Sequence, residues 1–125
     1  MSDGILKQEG YDLMAAAFEV YNELGPGFLE EVYQEAMEIE LQLRKIPFES
    51  QKLLPVFYKG RQLQKNYRCD LFAYGQMPVE LKAIKQLTNA DMSQLVNYLK
   101  ATQCRVGYLI NFGYPEKLEW HRHIR

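Results

Sequence analysis

The stretch Tyr67-Arg-Cys-Asp-Leu-Phe-Ala-Tyr-Gly-Gln-Met-Pro-Val-Glu-Leu-Lys-Ala-Ile-Lys85 decides how the rest of the chain is read. Apolar residues alternate on both sides of Gly75–Pro78, the pattern of two strands joined as a hairpin. A strand repeats every two residues, so Tyr67, Cys69, Leu71 and Ala73 are expected on one face and Arg68, Asp70 and Phe72 on the other. On the second strand Val79, Leu81 and Ala83 oppose Glu80, Lys82 and Ile84. If the Tyr67 and Val79 faces both pack on the core, Asp70, Glu80 and Lys82 meet on one surface of the sheet. Two carboxylates and an ammonium are costly to half-bury unless something uses them. A hard divalent cation is the simplest user, and a buried ion network without a substrate is the competing reading.

Outward from this hairpin, Gly10 to Leu24 carries a helical stripe of Leu13, Ala16, Ala17, Val20 and Leu24, ended by Gly25-Pro26-Gly27. A second helix is expected from about Leu29 to Arg44, with a broad apolar arc that includes Val32, Tyr33, Met37, Ile39, Leu41 and Leu43. Glu30 and Glu40 fall at the edge and near the middle of that arc. Glu30 reads as a helper of the metal site or its water shell, or as a first-turn acid favoured by the helix dipole. Glu40 reads as the partner of an arginine or of the backbone. Ile46–Ser50 and Leu53–Tyr58 are strand-like runs, and a turn at Tyr58–Arg61 leads into a strand from about Gln62 to Asp70. Thr88 or Asn89 can cap a third helix reaching about Gln103, with Met92, Leu95, Val96 and Leu99 in its main stripe and Gln94 and Tyr98 in a more polar one. Arg105–Phe112 reads as an interior strand. Leu118–Ile124 reads as a last strand with Trp120 facing away from His121 and His123. The order predicts an α/β fold, a mixed β-sheet flanked by α-helices.

At 125 residues the chain is expected to be a single domain, residues 1–125. It has no run long enough to span a membrane and no leader layout, and the expected location is cytoplasmic. Cys69 and Cys104, far apart and without metal-type spacing, read as reduced thiols. The net charge of −1 conceals a split: residues 1–50 hold eleven acids and three bases, residues 51–125 five acids and twelve bases. Either the domain has an acidic and a basic surface, the second suited to a polyanion, or the two halves pair across the fold.

With these residues placed, the chain resembles the PD-(D/E)XK nuclease superfamily, and within it the small bacterial family called GxxExxY proteins. The blocks that carry the resemblance are Gly27-Phe-Leu-Glu30-Glu-Val-Tyr33, Tyr67-Arg-Cys-Asp70-Leu, Val79-Glu80-Leu-Lys82-Ala, Gln94-Leu-Val-Asn-Tyr98-Leu and Leu109-Ile-Asn-Phe-Gly113. Cys69 stands where the superfamily name has a proline. The resemblance implies a restriction-endonuclease-like core and a phosphodiesterase site that needs Mg2+ or Mn2+. It assigns Asp70, Glu80, the backbone carbonyl of Leu81 and Glu30 to the metal, Lys82 to the attacking water and the developing charge, and Gln94, Tyr98 and Tyr33 to support or substrate contact. The chemistry suits these types: magnesium prefers one or two carboxylates plus waters and phosphate, and Lys82, two residues past Glu80, emerges on the same strand face.

Two further functions compete with a nuclease of DNA or RNA. One is a catalytically silent nucleic-acid-binding or protein-interaction module on the same fold; the other is a homo-oligomer that uses the acidic half as an interface. His121 and His123 read as part of an exposed basic strand rather than as catalysts. Tyr58, Tyr67, Tyr74, Tyr108 and Tyr114 could include base-stacking residues, against a default role in the core.

Overall fold

Residues 4–125 are described by a computed structural model. Helix α1 spans Lys7–Leu24, three residues longer at its start than the apolar stripe indicated. Gly25 ends it at φ 69°, its N–H bonded to the Tyr21 carbonyl, a left-handed step that glycine takes without strain. Helix α2 spans Glu30–Leu43 and buries Tyr33, Met37 and Leu41. Its apolar arc is narrower than expected: Val32, Ile39 and Leu43 are exposed, because α1 and the sheet cover only one side of the helix. Glu40 pairs with Arg44 at 2.7 Å, as an arginine partner was expected to do.

Five strands follow: β1 Phe48–Tyr58, β2 Arg61–Ala73, β3 Met77–Lys82, β4 Val106–Asn111 and β5 Glu119–Ile124, hydrogen-bonded in that order. The two strand-like runs around Gln51 are therefore one strand. Gln51 sits within it at φ 50°, a kink rather than a break. The second hairpin turns at Tyr74 and Gly75, both at positive φ, and Pro78 lies inside β3 opposite Phe72 rather than in the turn. All pairs are antiparallel except β3–β4, which is parallel. A parallel pair needs a crossover. Helix α3, Asn89–Thr102, supplies it and starts in a capping box between Thr88 and Asp91.

Helices α1 and α2 cover one face of the sheet, packing Leu13, Ala17, Tyr33 and Met37 on Leu71, Val79, Leu81, Ile110 and Phe112. Helix α3 covers the other face, where Leu95 and Leu99 pack on Leu109. Every residue of β4 is buried, as expected for an interior strand. The expected faces of β2 need correction. Leu71 and Ala73 pack with α1 and α2, but Tyr67 and Cys69 pack with Tyr98 on the α3 side, together with Phe72. The alternation slips by one residue at Asp70, opposite the kink at Gln51: ladder pairing is regular for Ser50 with Leu71 and for Lys52 with Cys69, on either side. A local twist of this kind re-aims side chains without ending the strand.

Both cysteines are free, and burial pushes the Cys69 thiol up to about 12, so it stays protonated and unreactive. Among the described residues no helix is long and apolar enough to cross a membrane. The ion pairs Arg44–Glu40 and Lys52–Glu49 are local in sequence; the second joins the acidic half to the basic half only where the two meet in β1.

Candidate active site

Strands β2 and β3 pair only over Leu71–Ala73 and Met77–Val79. Beyond that point they part, and Asp70 stands at the fork. Its Oδ2 accepts the Leu81 N–H at 2.7 Å, so a side chain satisfies a β3 amide that has lost its partner strand. Asp70 and Glu80 are the residues that follow the last pair, Leu71 with Val79, on the two arms of the fork, and Lys82, two residues past Glu80, lies near enough to act on both carboxyls. All three side chains are half-buried.

The electrostatics report the crowding. Burial pushes the Glu80 carboxyl up to about 8; the Lys82 ammonium opposes that rise and Glu30 adds to it. Asp70 is raised by burial, opposed by the Leu81 amide, the Gln51 side chain and Lys82. Glu30 is raised by partial burial and then by the Asp70 charge, against Lys82. Burial leads for all three, and Lys82 is the cation that opposes it at each, so the group has more buried carboxyl than cationic charge to balance it.

Glu30, the first residue of α2, faces this group from the rim and is exposed. Among the described residues no three His, Cys, Asp or Glu side chains converge closely enough to hold one ion, so Glu30 does not join Asp70 and Glu80 as a preformed third ligand. Two carboxylates at a polar fork with open sides remain a donor set that suits magnesium, which keeps several of its waters. Tyr33 is fully buried and its ring stacks on Phe112 at 4.6 Å. Its hydroxyl donates to the Gly25 carbonyl and accepts the Phe28 N–H at 3.2 Å. It therefore fixes the Gly25–Gly27 turn from which Glu30 emerges, and its complete burial leaves it no surface for a substrate to touch.

Tyr98 stacks on Tyr67 with centroids 3.9 Å apart, and the Tyr67 hydroxyl donates to Glu80 Oε2. Gln94 is exposed, one helical turn before Tyr98 on α3. His121 and His123 sit on β5, two strands away from Glu80, and stack on each other. An apolar cleft of about 520 Å3 between α1 and β5, lined by Tyr11, Phe18 and Trp120, contains none of the site residues.

Four contributors were not singled out from the sequence. Tyr67 was one of five candidate stacking tyrosines, with nothing to link it to Glu80. Gln34 donates to the Asp70 carbonyl at 2.9 Å and ties α2 to the fork. Gln51, at the kink, supports the Asp70 carboxylate. Asn111 is completely buried and grips both the N–H and the carbonyl of Ile84, each at 2.9 Å, which fixes the chain just after Lys82. A lone amide side chain inside the most apolar strand was the available signal for Asn111, since a buried amide must find partners.

The model of the PD-(D/E)XK nuclease superfamily matches residues 7–123. The crystal structure of SSO0001 superposes with a TM-score of 0.58 at 17% identity, over 76% of this chain and 49% of that one, a likeness of fold alone. The matched region thus spans about half the length of that protein. No curated protein is significantly similar. The mixed five-stranded sheet with flanking helices is that of a restriction-endonuclease-like core, and enzymes built on it are generally dependent on a divalent metal. The fork of β2 and β3, with the match along nearly the whole sequence, makes this chain a member of the PD-(D/E)XK nuclease superfamily.

Proposed function

We propose that this chain hydrolyses phosphodiester bonds in nucleic acid at the β2–β3 fork, as a member of the GxxExxY group within its superfamily. The observation that carries the proposal is the fork itself: Asp70 anchored on the Leu81 amide, with Glu80 and Lys82 beside it. Asp70, Glu80 and the Leu81 carbonyl would hold Mg2+ or Mn2+, and Glu30 would reach that ion through water. When bound, the metal supplies a Lewis acid and a water of lowered pKa.

The chain's own residues do the rest. A bound cation would offset the burial that raises Asp70 and Glu80 and so favour both as carboxylates at neutral pH. Lys82 places its ammonium against the phosphate oxygens, where negative charge grows as the bond to the leaving oxygen breaks. Tyr67 orients Glu80 through its hydroxyl, and Tyr98 braces the Tyr67 ring. Gln94, exposed one turn before Tyr98 on the same helix, would contact the substrate.

Plasmid and oligonucleotide cleavage with Mg2+ or Mn2+ tests the proposal. Asp70→Ala and Lys82→Ala are each expected to lower the rate by at least about 100-fold, the scale of losing one preorganised charged group. Full activity in both variants would overturn the assignment. Calorimetric titration with Mn2+ should show binding to the wild type and a marked loss in Asp70→Asn. Salt-dependent binding with no cleavage under either metal would mark a silent binding module instead.

A further inference from the structure

The β1–β2 hairpin runs on past β3, which pairs with β2 only from Leu71 onward; its base packs Leu54, Val56 and Tyr67 against Tyr98 of α3, and its outer part, residues 57–66, projects as an exposed two-stranded ribbon. From Gln51 to Cys69 the hairpin carries Lys52, Lys59, Arg61, Lys65 and Arg68 and not one acidic residue. Lys52 is paired with Glu49 at 3.0 Å. Lys59, Arg61, Lys65 and Arg68 have no ion-pair partner among the described residues, and all four are exposed. Arg68 and Lys65 lie one and two residues from Tyr67, the residue bonded to Glu80, and Arg61 lies beyond a β-bulge where the β1–β2 register shifts between Pro55 and Phe57. At about 3.4 Å per residue, Lys65 lies within roughly 7 Å and Arg61 within roughly 20 Å of Tyr67 along the chain, the bulge shortening the longer span. The row of charge therefore starts at the fork and runs outward from it. At the tip, exposed Tyr58 lies beneath the Lys59 ammonium, 5.6 Å from the ring centroid. Gln62, Gln64 and Asn66 add exposed amides that can both donate and accept.

We infer that the β1–β2 ribbon is an arm that grips duplex DNA, entering its major groove and laying one strand's backbone across the fork. A two-stranded ribbon fits the major groove of B-DNA, about 12 Å wide, whereas the major groove of an RNA duplex is deep and narrow. Excess positive charge with no internal partner is the signature of backbone binding. Placing the reaction beside the arm rests on the function proposed above; the arm's affinity for duplex does not.

Equilibrium binding to a duplex of about 20 bp, measured in EDTA between about 50 and 200 mM salt, tests the arm. The comparison is the full chain against its K59A/R61A/K65A variant. Three lost phosphate contacts are expected to reduce the slope of log affinity against log salt by about 2.7, and to weaken binding at least tenfold at the lower salt. The same-length single strand and RNA duplex should bind more weakly than the DNA duplex. If thermal unfolding shows that the alanines disturb the fold, K59Q/R61Q/K65Q carries the same expectation. An unchanged slope would overturn the proposal and leave the lysines as guards against edge pairing; tighter binding to single strand or to RNA duplex would overturn it too. A second reading separates arm from chemistry. With Mn2+, the triple variant should hydrolyse bis(p-nitrophenyl) phosphate as the wild type does while cutting duplex more slowly. If the wild type cleaves neither substrate but the salt slope falls as stated, the arm stands and the hydrolase reading fails. If the wild type cleaves and the variant binds and cuts equally well, the arm alone fails.

Discussion

Strand β2 is two different objects joined at Asp70. Its inner end, Leu71–Ala73, is paired on both sides and Leu71 and Ala73 lie in the main core. Its outer part, Arg61–Arg68, is paired on one side only, and apart from Tyr67 it is exposed. The inner end is held by apolar burial in the main core, and the outer part by a single ladder anchored at its base, where Tyr67 and Leu54 pack with Tyr98. The boundary is where polar groups lose their strand partners without reaching bulk water. That is why a carboxylate can replace a ladder acceptor there, and why charges can gather beside the core without being sunk in it. A reactive centre at such a fork borrows rigidity from one half of the strand and access from the other.

The sharpest way to break this comparison is to remove the same side chain from each half. Leu71 is 0% exposed and Leu63 40%. Leu71→Ala should cost about 2–5 kcal/mol, the usual loss for a buried leucine that leaves a cavity. Leu63→Ala should change stability by no more than about 0.5 kcal/mol. Urea unfolding of the two variants checks both values. Equal losses would mean that the ribbon is packed like the core, and the division at Asp70 would not hold.

A smaller effect is expected from pH, and it isolates the boundary. The Glu80 carboxyl rises from its ordinary value of 4.5 to about 8 in the fold. Between those two values the folded chain binds a proton that the unfolded chain has released, so stability must fall as pH rises across that window. Burial raises Asp70 and Glu30 too, which adds the same sign. A tenfold difference in proton affinity between the folded and unfolded chain corresponds to about 1.4 kcal/mol. Water at the open side of the fork screens part of the effect, so a loss on the order of 1–3 kcal/mol between pH 5 and pH 8 is expected. Urea midpoints in EDTA at the two values measure it. Glu80→Gln should flatten most of the slope, and millimolar Mn2+ should raise stability more at the higher pH, where the ligands are ionised. A slope that survives in Glu80→Gln would place the raised carboxyl elsewhere.

The pairing of Asp70 with Glu80 and Lys82 was legible because it needs only a hairpin and a period of two. The slip beside it was not. Tyr67, Cys69, Leu71 and Ala73 keep an unbroken alternation, and since both faces of the sheet are covered by helices, apolar residues suit either side. Nothing in Glu49-Ser50-Gln51-Lys52 announces a left-handed Gln51. On α2, Ile39 and Leu43 continued the apolar arc, yet the neighbouring elements do not extend over them, and helical periodicity counts side chains without knowing what lies opposite. Asn111 was conspicuous as a type, but its partner Ile84 is 27 residues away and is brought to it only by the β3–α3–β4 crossover. Local pattern thus marked the candidate residues, and long-range contacts supplied what holds them in place.

The smallest expected effect probes one such contact. Tyr67→Phe keeps the ring that stacks on Tyr98 and removes only the hydroxyl that donates to Glu80. Fold stability should fall by about 1 kcal/mol, the usual net value of one hydrogen bond. A bond donated to a carboxylate favours its ionised form, so without it the Glu80 carboxyl should rise further, and the stability loss in EDTA should extend to higher pH than in the wild type. Cleavage should then need a higher pH or more metal to reach the same rate, because the ligand is ionised less readily. Unfolding midpoints against pH and Mn2+ affinity separate this from a plain loss of packing, which would lower stability equally at every pH. If Tyr67→Phe matches the wild type in both measurements, the hydroxyl is idle and Tyr67 serves only to cap the base of the ribbon.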